Sequence, residues 1–199
     1  MELAKSKTYL NLAKAFAGEC MARVRYEFME YGARKEGYKN IADMIDSIVY
    51  QEFNHARMFY TFIQTADQGV IKNIEICSGY PFKEKWNLLD NLKLAAEDEE
   101  NEETKIYPAY AAIAREEGFK DIAGLFTNLI QVESCHKKTF QQLHQQLSGN
   151  KLYKKPEVVK WKCMDCGYEA EGKAAFTECP ICQAKQGSIM LKLQDGSCC

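Results

Sequence analysis

The sequence predicts a mainly α protein, a four-helix bundle followed by a small domain built on cysteines. Three observations predict it: long stretches of helical hydrophobic period before residue 147, an internal repeat within them, and two Cys-x-x-Cys pairs near the carboxyl end.

A chain of 199 residues, 46% of them hydrophobic, is long enough for one good core with a small appendage. A formal charge of -2 and a pI near 6.0 offer no excess of Lys and Arg, so no nucleic-acid partner is expected. The opening "MELAKSKTYLNLAKAFAGEC" is a mixed-charge amphipathic segment without the apolar run of a signal peptide. No stretch approaches the roughly 20 apolar residues of a membrane span. A cytoplasmic protein without a membrane partner is expected.

Glycines punctuate the first part at Gly32 and Gly37, Gly69, Gly79, Gly118 and Gly149. They divide it into helices at roughly 5–35, 39–65, 82–116 and 119–147. The joints at "EGYKN" and "EEGFKD" are tight, whereas "ADQGVIKNIEICSGYPF", which contains Pro81, is long. Short, long, short connections suit two antiparallel hairpins joined by a crossover. The segment 36–59 also aligns without gaps on 117–140, at a constant offset of 81 residues. That offset carries Glu52 and His55 onto Glu133 and His136.

The seam of the second helix reads Ile41, Ile45, Ile48, Glu52, His55, Phe59, Phe62, and that of the fourth Ile122, Phe126, Leu129, Glu133, His136, Phe140, Leu143. In both, a polar pair interrupts an apolar stripe where side chains point into the bundle. Unpaired carboxylates in a core cost at least several kcal/mol, so protons, partners or cations must neutralise them.

The third helix carries the acidic run "EDEENEE", which alone would be a solvated face. Its stripe, Leu92, Ala95, Glu99, Glu102, Ile106, Tyr110 and Ile113, turns Glu99 and Glu102 inward. The repeat offset applied to Glu19 points instead to Glu100, and with it Glu103. Choosing Glu99 requires one extra residue in the third helix relative to the first, which a π-bulge absorbs. On the first helix the stripe Tyr9, Leu12, Phe16, Glu19, Arg23, Tyr26 is weaker evidence of burial, but it places Glu19 with the others. Tyr26 and Tyr107 follow Glu19 and Glu99 on nearly the same face, as hydrogen-bond donors to the carboxylates or as core. His144 reads as a surface or late-helix residue.

Seven ligands result: Glu19, Glu52, His55, Glu99, Glu102, Glu133 and His136. Ferritin-like di-iron bundles use one Glu from each of two helices and Glu-x-x-His from each of the other two, which is this set with Glu102 added. Carboxylate with imidazole suits iron or manganese.

After residue 147 the polar, basic "SGNKLYKKPEVVK" reads as a linker, giving a division into 1–147, a linker 148–160 and a small domain 161–195. A domain that small needs disulfides or a metal to fold. Cys163, Cys166, Cys179 and Cys182 form two knuckles separated by 12 residues, and two such turns complete a tetrahedron of thiolates. Spacing leaves zinc and iron both open. Cys20, Cys77 and Cys135 read as structural thiols, and the terminal pair Cys198 and Cys199 has no assigned role.

"WKCMDCGY" and "CPIC" resemble the rubredoxin signature, which favours a mononuclear Fe(Cys)4 centre. Together with "AFAGEC..ARVRYEF", "EFNHA" and "TKIYPAYAAIAREEGF" they make essentially the whole chain similar to the rubrerythrin family. The family's third-helix motif places its ligands on Glu99 and Glu102. One departure is Asp98, where the family usually has glycine. The resemblance implies a ferritin-like bundle with a di-iron centre, and a rubredoxin-like domain passing electrons to it. It also implies reduction of hydrogen peroxide to water in oxidative-stress defence, homodimers in which one subunit's Fe(Cys)4 module approaches the other's bundle, and an iron that shifts between Glu102 and His55 with redox state. The electrons would come from an external donor, a rubredoxin or an NAD(P)H-dependent reductase. The competing reading is a ferritin-like ferroxidase or iron-storage protein, against which the cysteine domain argues.

Overall fold

The computed structural model describes residues 2–66 and 87–191. The long connection with Pro81 and Cys77, the first residues expected of the third helix, and Cys198 and Cys199 lie outside the described residues. A short 3-10 turn, Leu3–Lys5, leads into α1, Lys7–Lys35; α2 is Lys39–Thr65 and α3 is Leu88–Asn101. A π-helical segment, Glu102–Ile106, joins α3 to α4, Tyr107–Glu116, and α5 is Lys120–Ser148. The chain thus folds as a mainly α protein with four bundle helices, the third being α3, the π segment and α4 in series. Among the described residues, no helix is long and apolar enough to cross a membrane.

Helix starts are held by side chains that accept otherwise orphaned N–H groups. Ser6 Oγ accepts from Tyr9 N–H at 3.0 Å, and Asn87 Oδ1 from Asp90 N–H at 2.9 Å. The Glu117 carboxylate, arriving from the far hairpin, accepts from Lys7 N–H at 2.9 Å, Thr8 N–H at 2.8 Å and the Thr8 hydroxyl at 2.6 Å.

The repeat is visible in the turns. Gly37 and Gly118 adopt φ of 86° and 88°, a left-handed conformation that terminates a helix without a Cβ clash. Behind them Tyr38 N–H donates to Ala33 O at 2.9 Å and Phe119 N–H to Ala114 O at 2.8 Å. Helix α1 packs on α2, and α5 on α3 and α4.

Two apolar clusters fill the bundle. One contains Tyr26, Met29, Ile41, Ile45, Leu92 and Phe140, the other Leu12, Phe59, Tyr107, Ala111, Ile122 and Phe126. Along every helix the predicted ligands fall between residues of the two clusters, so the core is divided by a polar layer. The seams of α2 and α5 lie as expected, with Phe62 half-buried. In α1, Leu12, Glu19 and Tyr26 are buried while Tyr9, Phe16 and Arg23 are half-buried.

The third helix departs from its predicted seam. From the last residue of the π segment onward, Tyr107, Ala111 and Ala114 are inside, and Ile106, Tyr110 and Ile113 only half-buried. The extra residue rotates everything that follows by one position, so the stripe extrapolated from Leu92 and Ala95 loses phase there.

After α5, strands β1 (Lys154–Cys163), β2 (Glu169–Ala174) and β3 (Ile189–Leu191) form an antiparallel sheet in the order β2-β1-β3. Strand β1 therefore begins inside the stretch read as linker. Pro156 lies in the irregular gap between the Lys154–Ala174 and Val159–Gly172 pairs, where no ladder N–H is needed. Trp161, 1% exposed, centres a third cluster with Cys163, Ala175, Cys179 and Ile189. Its indole N–H donates to Gly172 O at 3.0 Å.

Candidate metal centres

The polar layer brings all seven predicted bundle ligands together. Glu19, Glu52, Glu99 and Glu133 are at most 2% exposed, His136 3% and His55 5%, while Glu102 keeps partial exposure. Three groups, each with one ligand atom per residue, have those atoms within 4.8 Å of one another: Glu52, Glu99, Glu133 and His136; Glu19, Glu52 and His55; and Glu19, Glu102 and Glu133. Glu52 and Glu133 each belong to the His136 group and to one of the Glu19 groups. His55 falls in one of the two Glu19 groups and Glu102 in the other.

The imidazoles point inward through Nδ1. His55 Nδ1 is 3.0 Å from Glu52 Oε2, 3.4 Å from Glu133 Oε1 and 3.5 Å from Glu19 Oε2. His136 Nδ1 is 3.0 Å from both Glu52 Oε1 and Glu133 Oε2. The two rings are nearly parallel at 5.7 Å. Glu100 is exposed and Glu103 pairs with Lys137 outside the cage, so the alternative drawn from the repeat offset fails by one helical position.

The surroundings fix the carboxylates. Tyr26 O–H donates to Glu99 and Tyr107 O–H to Glu19. These two contacts decide the open choice between donor and core filler: both tyrosines are 1% exposed and both donate. His136 Nε2 lies 2.7 Å from Gln51 Oε1, which orients the ring as an Nε2–H donor. Gln51 is a site residue the sequence reading missed, because an exposed glutamine beside a ligand leaves no periodic signal. Asp98, the departure from the family pattern, pairs with Arg25, whose Nη2 donates to Tyr26 Oη at 3.2 Å.

Without metal this cage is electrostatically incomplete. Among the described residues, Glu19 Oε2, Glu52 Oε1, Glu99 Oε2, both Glu133 oxygens and His136 Nδ1 are buried and make no well-formed hydrogen bond, their contacts with one another being ion pairs between the imidazoles and the carboxylates. Each carries a desolvation cost of several kcal/mol for a charged group, and they converge on one small volume. Burial, and then the charge of Glu52, pushes Glu99 up to about 8 and raises Glu19 well above its usual value. Burial and then Glu19 raise Glu102 as well. Burial alone would raise Glu52 too, but His136 and His55 hold it below the usual carboxylate range. Against the cost of burial, Glu19 and Glu52 push His55 up to about 11. Protons thus stand in where cations fit: hard oxygen and imidazole donors in this number suit a pair of iron or manganese ions.

The four predicted cysteines also meet, all Sγ atoms lying within 4.8 Å of one another. Cys163 and Cys182 are 3.7 Å apart and Cys166 and Cys179 3.5 Å. A tetrahedron with metal–sulfur bonds of about 2.3 Å has edges of about 3.8 Å, so the cluster is spaced for one ion. Backbone N–H groups of Cys182 and Ile181 hold the Cys179 thiol down to about 7 against the cost of burial. Gly167 closes the first knuckle with φ of 80°, and Gln183 takes the same left-handed conformation in the second, with φ of 63°. Cys20 is half-buried and Cys135 exposed, both remote from this cluster in sequence and outside it in space. His144 is half-buried on α5 in a groove with Lys93, Glu97 and Glu100.

A family described as Rubrerythrin matches residues 11–144, and one described as Rubrerythrin, rubredoxin-like domain matches residues 161–188. A rubrerythrin from Clostridium perfringens (strain 13 / Type A) is 41% identical over 177 residues, 89% of this chain and 90% of that protein. A solved structure of nigerythrin in a partially reduced state is similar with a TM-score of 0.61 and 26% identity, covering 96% of this chain and 94% of that one. The bundle alone is matched in fold by a bacterioferritin from Desulfovibrio desulfuricans, with a TM-score of 0.64, 21% identity, and 73% of this chain and 82% of that one covered.

Proposed function

The chain belongs to the rubrerythrin family, with a di-iron centre in the bundle and a mononuclear Fe(Cys)4 centre in the cysteine module, and from that premise we propose that it is a peroxidase reducing hydrogen peroxide to water. The observation that carries the reading is the pairing, within one chain, of a thiolate cluster suited to one-electron exchange with a buried cage whose carboxylate oxygens call for two cations. Bound in that cage, the iron pair supplies the two electrons that cleavage of an O–O bond consumes.

The residues divide the remaining work. Glu19, Glu52, His55, Glu99, Glu102, Glu133 and His136 would hold the pair, Glu52 and Glu133 each belonging to two of the three ligand groups. His55 and Glu102 would be alternative ligands beside Glu19, one with Glu52 and the other with Glu133, and so would allow the donor there to differ with redox state. Tyr26 and Tyr107 donate their hydroxyl hydrogens to Glu99 Oε1 and Glu19 Oε1 and hold those carboxylates in place. Glu102, the one cage carboxyl with solvent exposure, is the entry for the two protons that water formation needs. Cys163, Cys166, Cys179 and Cys182 bind the iron that returns electrons one at a time from an external rubredoxin or NAD(P)H-dependent reductase. We propose the division 1–147, 148–160 and 161–195 for these roles, with β1 extending the small domain's sheet back into the linker stretch as far as Lys154.

The protein acts in the cytoplasm, where thiolates stay reduced. It works as a homodimer, and the exposed Phe28, Tyr31, Tyr50 and Phe53 on α1 and α2 are the aromatic surface we assign to the second copy. Anaerobic stopped-flow spectroscopy of the reduced, iron-counted protein tests the activity: reoxidation is expected to be much faster with peroxide than with dioxygen, and equal rates would remove the peroxidase reading. Glu52→Ala should abolish turnover while keeping the visible spectrum of the Fe(Cys)4 centre.

A further inference from the structure

The two hairpin turns of the bundle are structural copies, yet they differ at one position that touches the cysteine module. Asn40 is 8% exposed, whereas its repeat counterpart Asp121 is exposed. Asn40 Nδ2–H donates to Ile189 O at 3.0 Å, and its Oδ1 accepts from Ile41 N–H at 2.8 Å and from the Tyr153 hydroxyl at 3.4 Å. Beside it, Lys39 Nζ bridges Asp43 at 3.0 Å and Asp165 at 3.1 Å. Gly187 lies flat on the turn itself: a Cβ at that position would sit 1.6 Å from Gly37 O and 2.8 Å from Gly37 C.

One of these contacts is made by the first cysteine knuckle itself and the other two by residues that adjoin it. Asp165 lies between Cys163 and Cys166, Ile189 is the β3 partner of Cys163, and Met164 N–H donates to Ser188 O at 2.9 Å. We propose that the α1–α2 turn is a docking platform for the Cys163–Cys166 knuckle, and that Asn40, where the repeat carries Asp121, is the positioning residue that makes this turn and not its copy the platform. A carboxylate at position 40 has no N–H for the Ile189 carbonyl and would set two acceptors against each other in a buried contact. Backbone-on-backbone contact at Gly187 admits no side chain. The platform fixes where the Fe(Cys)4 centre stands relative to the bundle, so it sets the geometry of electron delivery; that last step rests on the function proposed above.

The test uses the full-length, iron-loaded protein in wild-type form and as Asn40→Asp, Gly187→Ala and Asp121→Asn. Hydrogen exchange followed by mass spectrometry reads the docking itself, in segments 37–43 and 185–191, and the visible spectrum of the Fe(Cys)4 centre reports that the module has folded. Asn40→Asp and Gly187→Ala should each accelerate exchange in both segments about tenfold, as expected for loss of a buried hydrogen bond or contact, with the spectrum unchanged. Asp121→Asn should leave both segments as in wild type. Retained protection in both docking variants overturns the platform. Reoxidation of the Fe(Cys)4 centre by peroxide should slow about tenfold or more in the two docking variants, while direct oxidation of the reduced bundle site is unaffected. Faster exchange with an unchanged rate overturns the role in electron delivery. A wild-type protein that peroxide does not reoxidise counts against the proposed function and leaves the exchange measurement to decide the docking.

Discussion

At the scale of single residues, what the sequence made legible was whatever repeats. Glu52 and His55 could be judged because Glu133 and His136 stand on an equivalent seam, and Glu99 was separable from Glu100 because only one of the two continues the apolar stripe. Gln51 was not legible, since its contact with His136 crosses from α2 to α5 and its own repeat counterpart is Val132. Tyr26 and Tyr107 were half legible: spacing put them near the carboxylates, and only the structure shows them donating. Removing either hydroxyl leaves a ligand carboxylate without its outer partner, so Tyr26→Phe and Tyr107→Phe should each weaken metal binding in the bundle by about 10- to 100-fold. Competition titration with a chelator measures this, and affinities within twofold of wild type would show the tyrosines to be filler. In the cysteine module, Gln183 stands at φ of 63° where Gly167 serves the first knuckle. A left-handed non-glycine residue costs about 1–2 kcal/mol, part of which glycine returns as chain entropy. Gln183→Gly is therefore expected to stabilise the module by about 0.5–1 kcal/mol, seen as slower iron release in denaturant.

At the scale of elements, the first, second and fourth helices follow from hydrophobic period and glycine punctuation, because each is regular from end to end. The third is not, and the need for an extra residue showed before any coordinates: Glu99 and Tyr107 are eight apart where Glu19 and Tyr26 are seven. The π segment Glu102–Ile106 supplies that residue. That extra residue implies a rotation in kind, and a stripe extended straight through it to Ile106 and Ile113 loses phase with the buried face at Tyr107, Ala111 and Ala114. Strand β1 was hidden for a different reason, since a lysine-rich stretch with Pro156 carries no alternating pattern strong enough to outweigh the proline. The element contact with the clearest energetic consequence joins the ends of the chain's two hairpins: Glu117, at the α4–α5 turn, accepts two backbone N–H groups and the Thr8 hydroxyl at the start of α1. Glu117→Ala removes a charge-assisted cap and frees the first turn of α1. A loss of about 1–2 kcal/mol in denaturant unfolding is expected, with the metal cage unaltered because it lies several turns away.

At the scale of the whole molecule, the bundle is held together around a layer that opposes folding unless it is filled, and this makes stability depend on pH differently with and without metal. In the metal-free protein Glu99 titrates near 8 instead of its usual 4.5, because of burial and then Glu52. Between those values the folded chain binds a proton that the unfolded chain has lost, so stability falls as pH rises, by about 1.4 kcal/mol per pH unit for each such group. Glu19, Glu102 and Glu133, all raised first by burial, act in the same direction. His55, raised from 6.5 to about 11, adds stability that is fully present below 6.5 and is lost as pH rises through about 11. Glu52 is the opposing group: lowered by its histidines, it contributes stability that is lost only as pH falls below 4.5, outside this window. From pH 6.5 to 8 the shifts of Glu99 and His55 agree in sign, and the metal-free protein should unfold at progressively lower denaturant concentration. Metal replaces those protons and is held more tightly as they become easier to release, so the gap in stability between loaded and metal-free protein should widen over the same range. Denaturant midpoints at pH 6.5, 7.2 and 8.0, with and without iron, measure both trends. A metal-free protein that grows more stable toward pH 8 would mean that the cage carboxylates are neutralised by something other than protons, and the account of why this core needs cations would have to be abandoned.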